Sequence, residues 1–446
     1  MVEPDVPEAL SLPGKPIRDD AESESDALWT GPVTLELEDS STVTGTADLR
    51  WAWVSAPELR CTVQTNEQLS SNPPFGIAKV SASDLALTSP TAIRLKGLVG
   101  LTRVAVVGSA TIGNDDADID ELILQLVNVP RFLGLPVRSG QTTWAGRIEF
   151  EVGEWIVRVD GRTGVPEDRD EQRQAGYLVT HVGRVIRADG STFTLADVEP
   201  VVAALASVFS LLRGAYSSPL AWHGRRTEKT VWARHTTWPV DSWQGQWGPF
   251  PVAFVAAHDT EVLPALARAV CNWMQLATDP DIKQALDRAL LWLLTANTGG
   301  TPGDIILVQA GLELLSYLRF VVPGSISPRG FEEIPAADQI RLLMRNLRLP
   351  VDIPMHYAEL SRWAAKQQPT PLATPELIAR FRNLVVHPPT RRRPAGAFAA
   401  PVQMQARELA LSVLEKSLLL ILGYDGPIAD RSAGFTVTSL AATLVG

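Results

Sequence analysis

The sequence has few cysteines and no long apolar run, and each absence excludes a class of protein. Only Cys61 and Cys271 occur among 446 residues, far apart and in different kinds of segment. A disulfide-stabilised secreted scaffold and a cysteine zinc site are therefore not expected, and a reducing compartment fits this composition. No run of about eighteen apolar residues occurs, so we expect no membrane-spanning helix.

A targeting signal and an overall basic charge are also missing. Residues 1–26 are acidic and rich in proline, without the basic and apolar regions of a signal peptide, and they predict a disordered tail. Together with the cysteine usage, this predicts a cytoplasmic protein. The net charge of −10 argues against a protein that coats nucleic acid over its whole surface, but it allows a local basic site.

The pattern of apolar residues divides the chain into two parts. Up to about residue 190, short runs such as VTLELE, GRIEFEV and EWIVRVDG alternate apolar and polar residues, which is typical of β-strands. We expect an antiparallel, sandwich- or barrel-like domain over residues 27–251, with one helix near 195–214. Residues 252–446 show helical spacing throughout. The sequence therefore predicts an α+β multidomain protein whose C-terminal part is an all-helical bundle.

Helix boundaries in the second half are marked by their own residues. Three helices are predicted to start where a capping residue precedes proline, at Asp279, Thr301 and Thr374. In the last long helix, the spacing predicts an apolar stripe and an opposite polar side. The stripe consists of Leu411, Leu414, Leu418 and Ile421, and the polar side of Glu408, Glu415 and Lys416.

The stretch LIARFRNLVVHPPTRRR, residues 377–393, combines a helix with an unusual set of polar groups. Its apolar residues recur at helical spacing and are predicted to face a core; they are Leu377, Ile378, Phe381, Leu384 and Val385. Asn383 and His387 are four residues apart, so they share a helix face, and Pro388 ends the helix. A histidine at a helix C-terminus is often only a cap, and the motif by itself is a weak signal.

The charge around this histidine makes the stretch more informative. No acidic residue occurs between Leu377 and Arg407, whereas six arginines do: Arg380, Arg382, Arg391, Arg392, Arg393 and Arg407. Guanidinium groups bind phosphates in a bidentate manner, so a polyanion is the expected ligand. A histidine beside arginines can move the proton of a ribose 2′-hydroxyl while arginine stabilises the charged phosphorus, a reaction that needs no metal.

The string FRNLVVHP resembles the Arg-Asn-x-x-x-His signature of HEPN ribonuclease domains. LVQAGLELLSYL is similar to an early HEPN helix that carries a glutamate, here Glu313. LEKSLLLILGYDGPI resembles the closing helix and Gly-Tyr-x-Gly tail of the ApeA-like subgroup, in which a β-rich domain precedes the HEPN domain. The resemblance covers about residues 258–430, although the loop PPTRRRPAGAFAAP is longer than the pattern leads us to expect.

The resemblance implies a metal-independent endoribonuclease without cofactors, active in prokaryotic abortive infection and anti-phage defence. It implies that Arg382 stabilises the phosphate, that His387 acts as acid and base, and that Asn383 orients one of them. Glu313 is expected to support the site by pairing with Arg382, and RNA-binding roles are expected for Arg380, Arg391, Arg392 and Arg393. A homodimer through the C-terminal domain would build one cleft, and the N-terminal domain would sense a phage-derived trigger.

Two other interpretations stay open from the sequence. The first is a non-catalytic HEPN-like scaffold that dimerises or binds nucleotides. The second is a ligand- or carbohydrate-binding protein that acts through the β domain and its tryptophans, which could stack on sugars or bases. These tryptophans are Trp222, Trp232, Trp238, Trp243 and Trp247. Aromatic residues are more often part of a core, and the remaining histidines show no metal-ligand spacing.

Overall fold

The computed structural model of the chain divides into two compact units. One unit comprises Met1–Ala206 and Ser217–Gly245, and the other comprises Ser207–Tyr216 and Gln246–Gly446. The structure describes residues 6–13, 27–37, 40–52, 57–65, 77–88, 101–106, 109–130, 132–162, 176–243, 248–249, 259–300, 303–367, 372–386 and 399–445. An N-terminal antiparallel β-rich region precedes a C-terminal helical region, so the predicted α+β class is confirmed at this level.

The β-rich unit contains two antiparallel sheets. The described strands are β1 Trp29–Leu37, β2 Thr42–Ala52, β3 Glu58–Thr65, β4 Ile77–Ser81, β5 Leu85–Thr88, β6 Leu101–Val106, β7 Ser109–Gly113, β8 Glu121–Val127, β9 Leu135–Ser139, β10 Thr142–Val152, β11 Trp155–Gly161, β12 Val179–Arg187, β13 Ser218–Arg226 and β14 Lys229–Thr236. Five strands form one sheet in the order β4-β1-β2-β3-β6. Nine form the other in the order β5-β7-β14-β13-β8-β12-β11-β10-β9.

Alternation of side chains explains how these strands build a core. The apolar residues of β2 and β3 point to one side, where Leu49, Trp51 and Leu59 are fully buried. Ala221 and Val127 of the nine-stranded sheet belong to the same apolar cluster as these residues of the five-stranded sheet. The strand β8 is buried on both faces, which accounts for its nearly continuous apolar sequence ELILQLV.

The helix predicted near residues 195–214 is present as α1, Leu195–Arg213. Its first turn is capped by Thr194 and Asp197, whose side chains hydrogen-bond each other at 2.9 Å. Among the described residues, this is the one helix long and apolar enough to cross a membrane by length and composition. However, 67% of the apolar 18-residue stretch of this helix is buried inside the structure, as is typical of a core helix.

The second unit is built mainly from helices. They are α2 Asp259–Leu276, α3 Pro280–Gly299, α4 Asp304–Phe320, α5 Pro328–Glu332, α6 Ala336–Asn346, α7 Ala358–Ala365, α8 Thr374–Val386 and α9 Ala400–Ile421. The predicted cap at Asp279 is confirmed, since its carboxylate accepts from the backbone N–H groups of Asp281 and Ile282. Gly311 allows α4 to approach α9, because a Cβ there would lie 2.9 Å from Leu414 Cδ2.

The prediction of an all-helical second half is wrong in one respect. A two-stranded antiparallel sheet follows α9 and consists of β15 (Pro427–Asp430) and β16 (Thr436–Ser439). The turn between them contains Gly434 at φ 67°, preceded by a short 3-10 helix at Arg431–Ala433. Four-residue strands carry too little periodicity to be recognised in sequence.

Asn128 connects three segments of the β-rich unit, and its removal tests how much that unit depends on one polar side chain. Its amide donates to the carbonyls of Gly176 and Asp241 and accepts from the N–H of Leu178, and the residue is fully buried. We expect Asn128→Ala to lower the free energy of unfolding by about 2–4 kcal/mol, since buried backbone groups lose their partners. Urea unfolding measures this.

Asn114→Ala is the matched control for that experiment, because the Asn114 side chain accepts one hydrogen bond in an exposed turn. We expect a change below about 1 kcal/mol for the control. Equal effects of the two substitutions would contradict a structural role for Asn128.

Candidate functional site

The motif helix α8 is held by its apolar face, and its polar residues lie near the C-terminal end. Leu377, Ile378 and Phe381 are buried as predicted, and the helix packs against α4, α6 and α9. Val385 was predicted to face the core, but it is 42% exposed. The buried face of the helix thus ends one turn before Val386, and the last turn is accessible.

Arg382 and Asn383 contact each other in this last part of the helix. Arg382 Nη1 donates to Asn383 Oδ1 at 3.1 Å. Among the described residues, no carboxylate lies within ion-pair distance of Arg382. Its positive charge is therefore available to an anion, and Asn383 helps to hold the guanidinium in place. His387, Arg391, Arg392 and Arg393 lie outside the described residues.

Arg380 is placed differently from Arg382. Its guanidinium carbon lies 5.9 Å from the centre of the half-buried Trp363 ring, a cation–π distance. The same indole packs edge-on against Phe381 at 5.2 Å. The indole therefore orients the Arg380 side chain while leaving its charge unneutralised by any described carboxylate.

Glu313 does not form the expected ion pair with Arg382 in the described structure. The Glu313 carboxylate instead accepts a hydrogen bond from Gln309 Nε2, one turn earlier on α4, at 2.6 Å. A partner four residues away on the same helix is always within reach, whereas a cross-helix partner depends on the exact helix placement. The supporting role of Glu313 stays a prediction.

Arg407 is not part of a free basic surface, contrary to the sequence-based count of arginines. Its side chain pairs with Asp304 at 2.8 Å and with Glu408 at 2.6 Å, and it donates to the carbonyls of Ala296 and Asn297. Only 14% of the side chain is exposed. A guanidinium held in this way is not available to bind a phosphate, so Arg407 is a structural residue.

The helical unit contains a network of buried and partly buried charged side chains that the sequence did not predict. We call it the α9 network; its members are Asp304, Arg407, Glu408, Glu415, Lys416, Asp430 and Arg431. Glu415 and Lys416 were predicted on the polar side of α9, but they are 2% and 5% exposed. The hairpin β15–β16 contributes Asp430 to Lys416 at 2.9 Å. Because the hairpin was not predicted, neither was this burial.

Glu415 is the least well paired member of the α9 network. Arg431 contacts Glu408 at 2.6 Å but Glu415 only at 3.4 Å, and Glu415 Oε1 has no hydrogen-bond partner in the described part of the chain. Burial raises the pKa of Glu415 from 4.5 to about 7, while Arg431 and Lys416 lower it. With Glu415 protonated, three acidic and three basic members remain, and the network is neutral.

The tryptophans are mainly core residues. Trp222, Trp232 and Trp243 are buried, and Trp222 packs edge-on against the half-buried Trp238 at 5.0 Å. Trp247 lies outside the described residues. Trp222, Trp232 and Trp243 therefore provide no open stacking surface for sugars or bases.

The described histidines are core or surface residues without a metal-binding arrangement. Burial lowers the pKa of His181 to about 3, of His223 to about 4 and of His235 to about 3, so all three are neutral near pH 7. His356 is exposed. No group of three or more His, Cys, Asp or Glu side chains in the described ranges is arranged to hold a metal ion.

Comparisons with known proteins give two family matches and one relative. Residues 114–246 match the family described as the YopA central domain, and residues 279–440 match the YopA C-terminal domain. A protein of Bacillus subtilis (strain 168), named SPbeta prophage-derived uncharacterized protein YopA, is 24% identical over 323 residues, which cover 71% of this chain and 69% of that protein. No solved structure matches the chain.

The protonation of Glu415 predicts how stability depends on pH. The folded chain holds this proton more tightly than the unfolded chain, so the contribution is fully present below about pH 4.5 and is lost as the pH rises through about 7. Glu415→Gln keeps the neutral form at every pH. We expect it to reduce the fall in unfolding free energy between pH 5 and 8 by on the order of 2–3 kcal/mol, measured by urea unfolding.

Glu332→Gln is the control, because Glu332 is an exposed residue at the end of α5. This variant should retain the pH dependence of the unchanged chain. If Glu415→Gln retains it as well, Glu415 is ionised in the folded protein and the neutral network does not exist.

Proposed function

We propose that the chain is a metal-independent endoribonuclease of the HEPN type. The observation that carries the proposal is the pair Arg382 and Asn383, which hydrogen-bond each other on an accessible helix end immediately before His387. A cation without an acidic partner is suited to bind a phosphate, and a histidine five residues further on can transfer protons. This combination supports phosphodiester cleavage more directly than it supports a structural role.

The proposed reaction uses groups of the RNA and of the protein only. Neutral His387 takes the proton of a ribose 2′-hydroxyl, and the 2′-oxygen attacks the adjacent phosphorus. The bond from phosphorus to the 5′-oxygen breaks, and that oxygen leaves with a proton returned by the protein. The products are a 2′,3′-cyclic phosphate and a 5′-hydroxyl. Arg382 stabilises the negative charge of the pentavalent phosphorus, and Asn383 keeps its guanidinium oriented.

The neighbouring arginines would hold the RNA backbone. Arg380, which is oriented by Trp363, lies two residues before Arg382. Three further arginines follow the motif in the sequence: Arg391, Arg392 and Arg393. Contacts to phosphates position a nucleic acid without reading its bases. The whole chain has a net charge of −10, so the surface outside this basic region would repel RNA and confine it here.

A homodimer through the C-terminal unit would complete the site. One chain supplies a single Arg382 and a single His387, which is a sparse site for a highly charged transition state. Val385 and Val386, between Asn383 and His387 of the motif, are 42% and 43% exposed, so an apolar contact surface adjoins the polar one. A two-fold axis near this surface would bring both motifs into one cleft, because isologous interfaces pair the same patch twice.

The cellular role we propose is cytoplasmic anti-phage defence by RNA degradation, in which the N-terminal unit responds to a phage-derived trigger. The support comes from the order of the two regions, because a β-rich region ahead of a helical one is the order that the ApeA-like resemblance implies. A relative is named as prophage-derived, which fits a role connected with phage infection.

Substitution of the motif residues tests catalysis. We expect His387→Ala to abolish cleavage of a labelled single-stranded RNA, and Arg382→Ala to reduce it by at least about 100-fold, because each removes a group that acts in the transition state. EDTA should not slow the reaction, and the products should carry a cyclic or 3′-phosphate. Product analysis by mass spectrometry identifies the ends.

Arg288→Ala is the matched control, since it removes an exposed arginine from α3, outside the motif helix. Circular dichroism of all variants shows whether the fold is kept. Retained cleavage in His387→Ala would contradict the assignment of His387 as the catalytic acid and base. RNA that survives incubation with the unchanged chain would favour the non-catalytic scaffold.

Mixing active and inactive chains tests the shared cleft. When equal amounts of wild-type and His387→Ala chains exchange, about half of the wild-type chains acquire an inactive partner. We therefore expect the activity per wild-type chain to fall to about half, measured by initial rates after equilibration. Activity strictly proportional to the wild-type content, or full activity from a monomer by light scattering, would rule out the composite site.

A further inference from the structure

The described part of the N-terminal segment, residues 6–13, is bound to the nine-stranded sheet and is not a free tail there. Glu8 forms a parallel bridge with Arg138 on the edge strand β9. The N–H of Ala9 donates to the Arg138 carbonyl at 2.7 Å, and the N–H of Arg138 donates to the Pro7 carbonyl at 3.0 Å. The segment thus adds a parallel β-bridge to this edge, and the prediction of disorder over residues 1–26 is wrong for residues 6–13.

A buried ion pair holds the same segment by its main chain. Arg147 on β10 and Asp160 on β11 are register partners, and their side chains are 6% and 2% exposed. The guanidinium binds the carboxylate twice at 2.7 Å. Arg147 Nη2 also donates to the Glu8 carbonyl at 2.8 Å, and Asp160 Oδ2 accepts from the N–H of Leu10 at 2.8 Å. This pair therefore contacts one carbonyl and the N–H two residues later, groups that any extended peptide offers.

Side chains of the segment contribute little to its binding. None of residues 6–13 is buried. The ion pair between Glu8 and Arg138 is exposed, with 62% and 44% of the two side chains accessible, so it adds orientation more than affinity. Leu12 packs against the apolar cluster of the β-rich unit from its border. The interaction depends on main-chain hydrogen bonds, so a different extended peptide could replace the segment.

Beyond Leu10, the segment borders an open groove. Ser11, Leu12 and Pro13 line one side of a cavity of about 420 Å³, and His223, Arg225, Glu228 and Thr230 line the rest. Arg225 is already held by Glu121 at 2.8 Å. The groove is therefore polar and close to neutral, which suits the side chains of a longer peptide better than a highly charged ligand.

We propose that this face of the β-rich unit is a docking site for an extended peptide of a partner protein, and that residues 7–12 occupy it in the free chain as an internal competitor. The partner segment runs parallel to β9 by strand addition. It carries an acidic residue opposite Arg138 and an apolar residue four positions later, the places that Glu8 and Leu12 hold. A tethered competitor has a high effective concentration, so the site opens only to a partner that outcompetes it.

Proline substitution in the full chain releases the segment and tests the proposal. Ala9→Pro with Leu10→Pro removes two N–H donors, to Arg138 and to Asp160, whereas Ser11→Pro removes an N–H that has no partner among the described residues. The probe is a fluorescein-labelled peptide of residues 6–13 with blocked ends. We expect fluorescence anisotropy to show at least fivefold tighter binding to the double variant than to the unchanged chain, and no gain for Ser11→Pro.

A second peptide, with proline at positions 9 and 10, checks that the main chain is recognised. It should bind the double variant at least about tenfold more weakly than the first peptide, because the same two hydrogen bonds are missing. Equal binding of the two peptides, or an unchanged peptide affinity of the double variant, would contradict the docking site. The N-terminal segment would then have a structural role.

Hydrogen exchange and light scattering complete the test. The amide of Arg138 should exchange faster in the double variant and regain protection when the first peptide is added. Loss of a dimer in the double variant alone would show that the site is occupied by the segment of a second copy of this chain. That result would contradict the proposal that a different protein supplies the docked peptide. These readouts measure peptide binding and not RNA cleavage, so they are independent of the proposed ribonuclease.

Discussion

The helical unit depends on the neutralisation of charges inside it. The seven ionisable side chains of the α9 network form pairwise contacts of 2.6–3.4 Å, and a buried charge without a partner costs several kcal/mol. Arg407 connects α9 to the first turn of α4 through Asp304. Arg431 and Lys416 connect the same helix to the hairpin that follows it. The network therefore links α4, α9 and the hairpin, and α8 packs against both helices.

This arrangement separates structural arginines from arginines that are free to act. Arg407 and Arg431 are surrounded by carboxylates and carbonyls, and their orientation is fixed. Among the described residues, Arg382 is held by the neutral amide of Asn383, which orients a guanidinium without cancelling its charge. Since no described carboxylate lies within ion-pair distance of Arg382, the end of α8 keeps its positive charge in an acidic protein.

The β-rich unit uses a buried ion pair for a different purpose. Arg147 and Asp160 neutralise each other across two neighbouring strands, and their remaining hydrogen-bonding capacity is directed at a peptide backbone. A protected sheet edge is a general requirement of antiparallel folds. Here the protection comes from the chain's own N-terminal segment, held by its main chain and hardly by its side chains.

The sequence by itself determined the properties that depend on neighbours along the chain. Alternation in VTLELE and the short apolar run ELILQLV predict strands, and Asp279 before Pro280 predicts a helix start. The order RFRN specifies which residues share the end of α8. Only the tertiary structure decided which polar residues are buried. Glu415 and Lys416 follow the helical period of a polar face, yet a distant hairpin covers that face and supplies Asp430. Arg407, counted with the basic window, is neutralised by Asp304, about a hundred residues earlier. Such pairings join residues that are remote in sequence, and local periodicity carries no information about them, because burial is a property of the surface that packs against a helix and not of the helix alone.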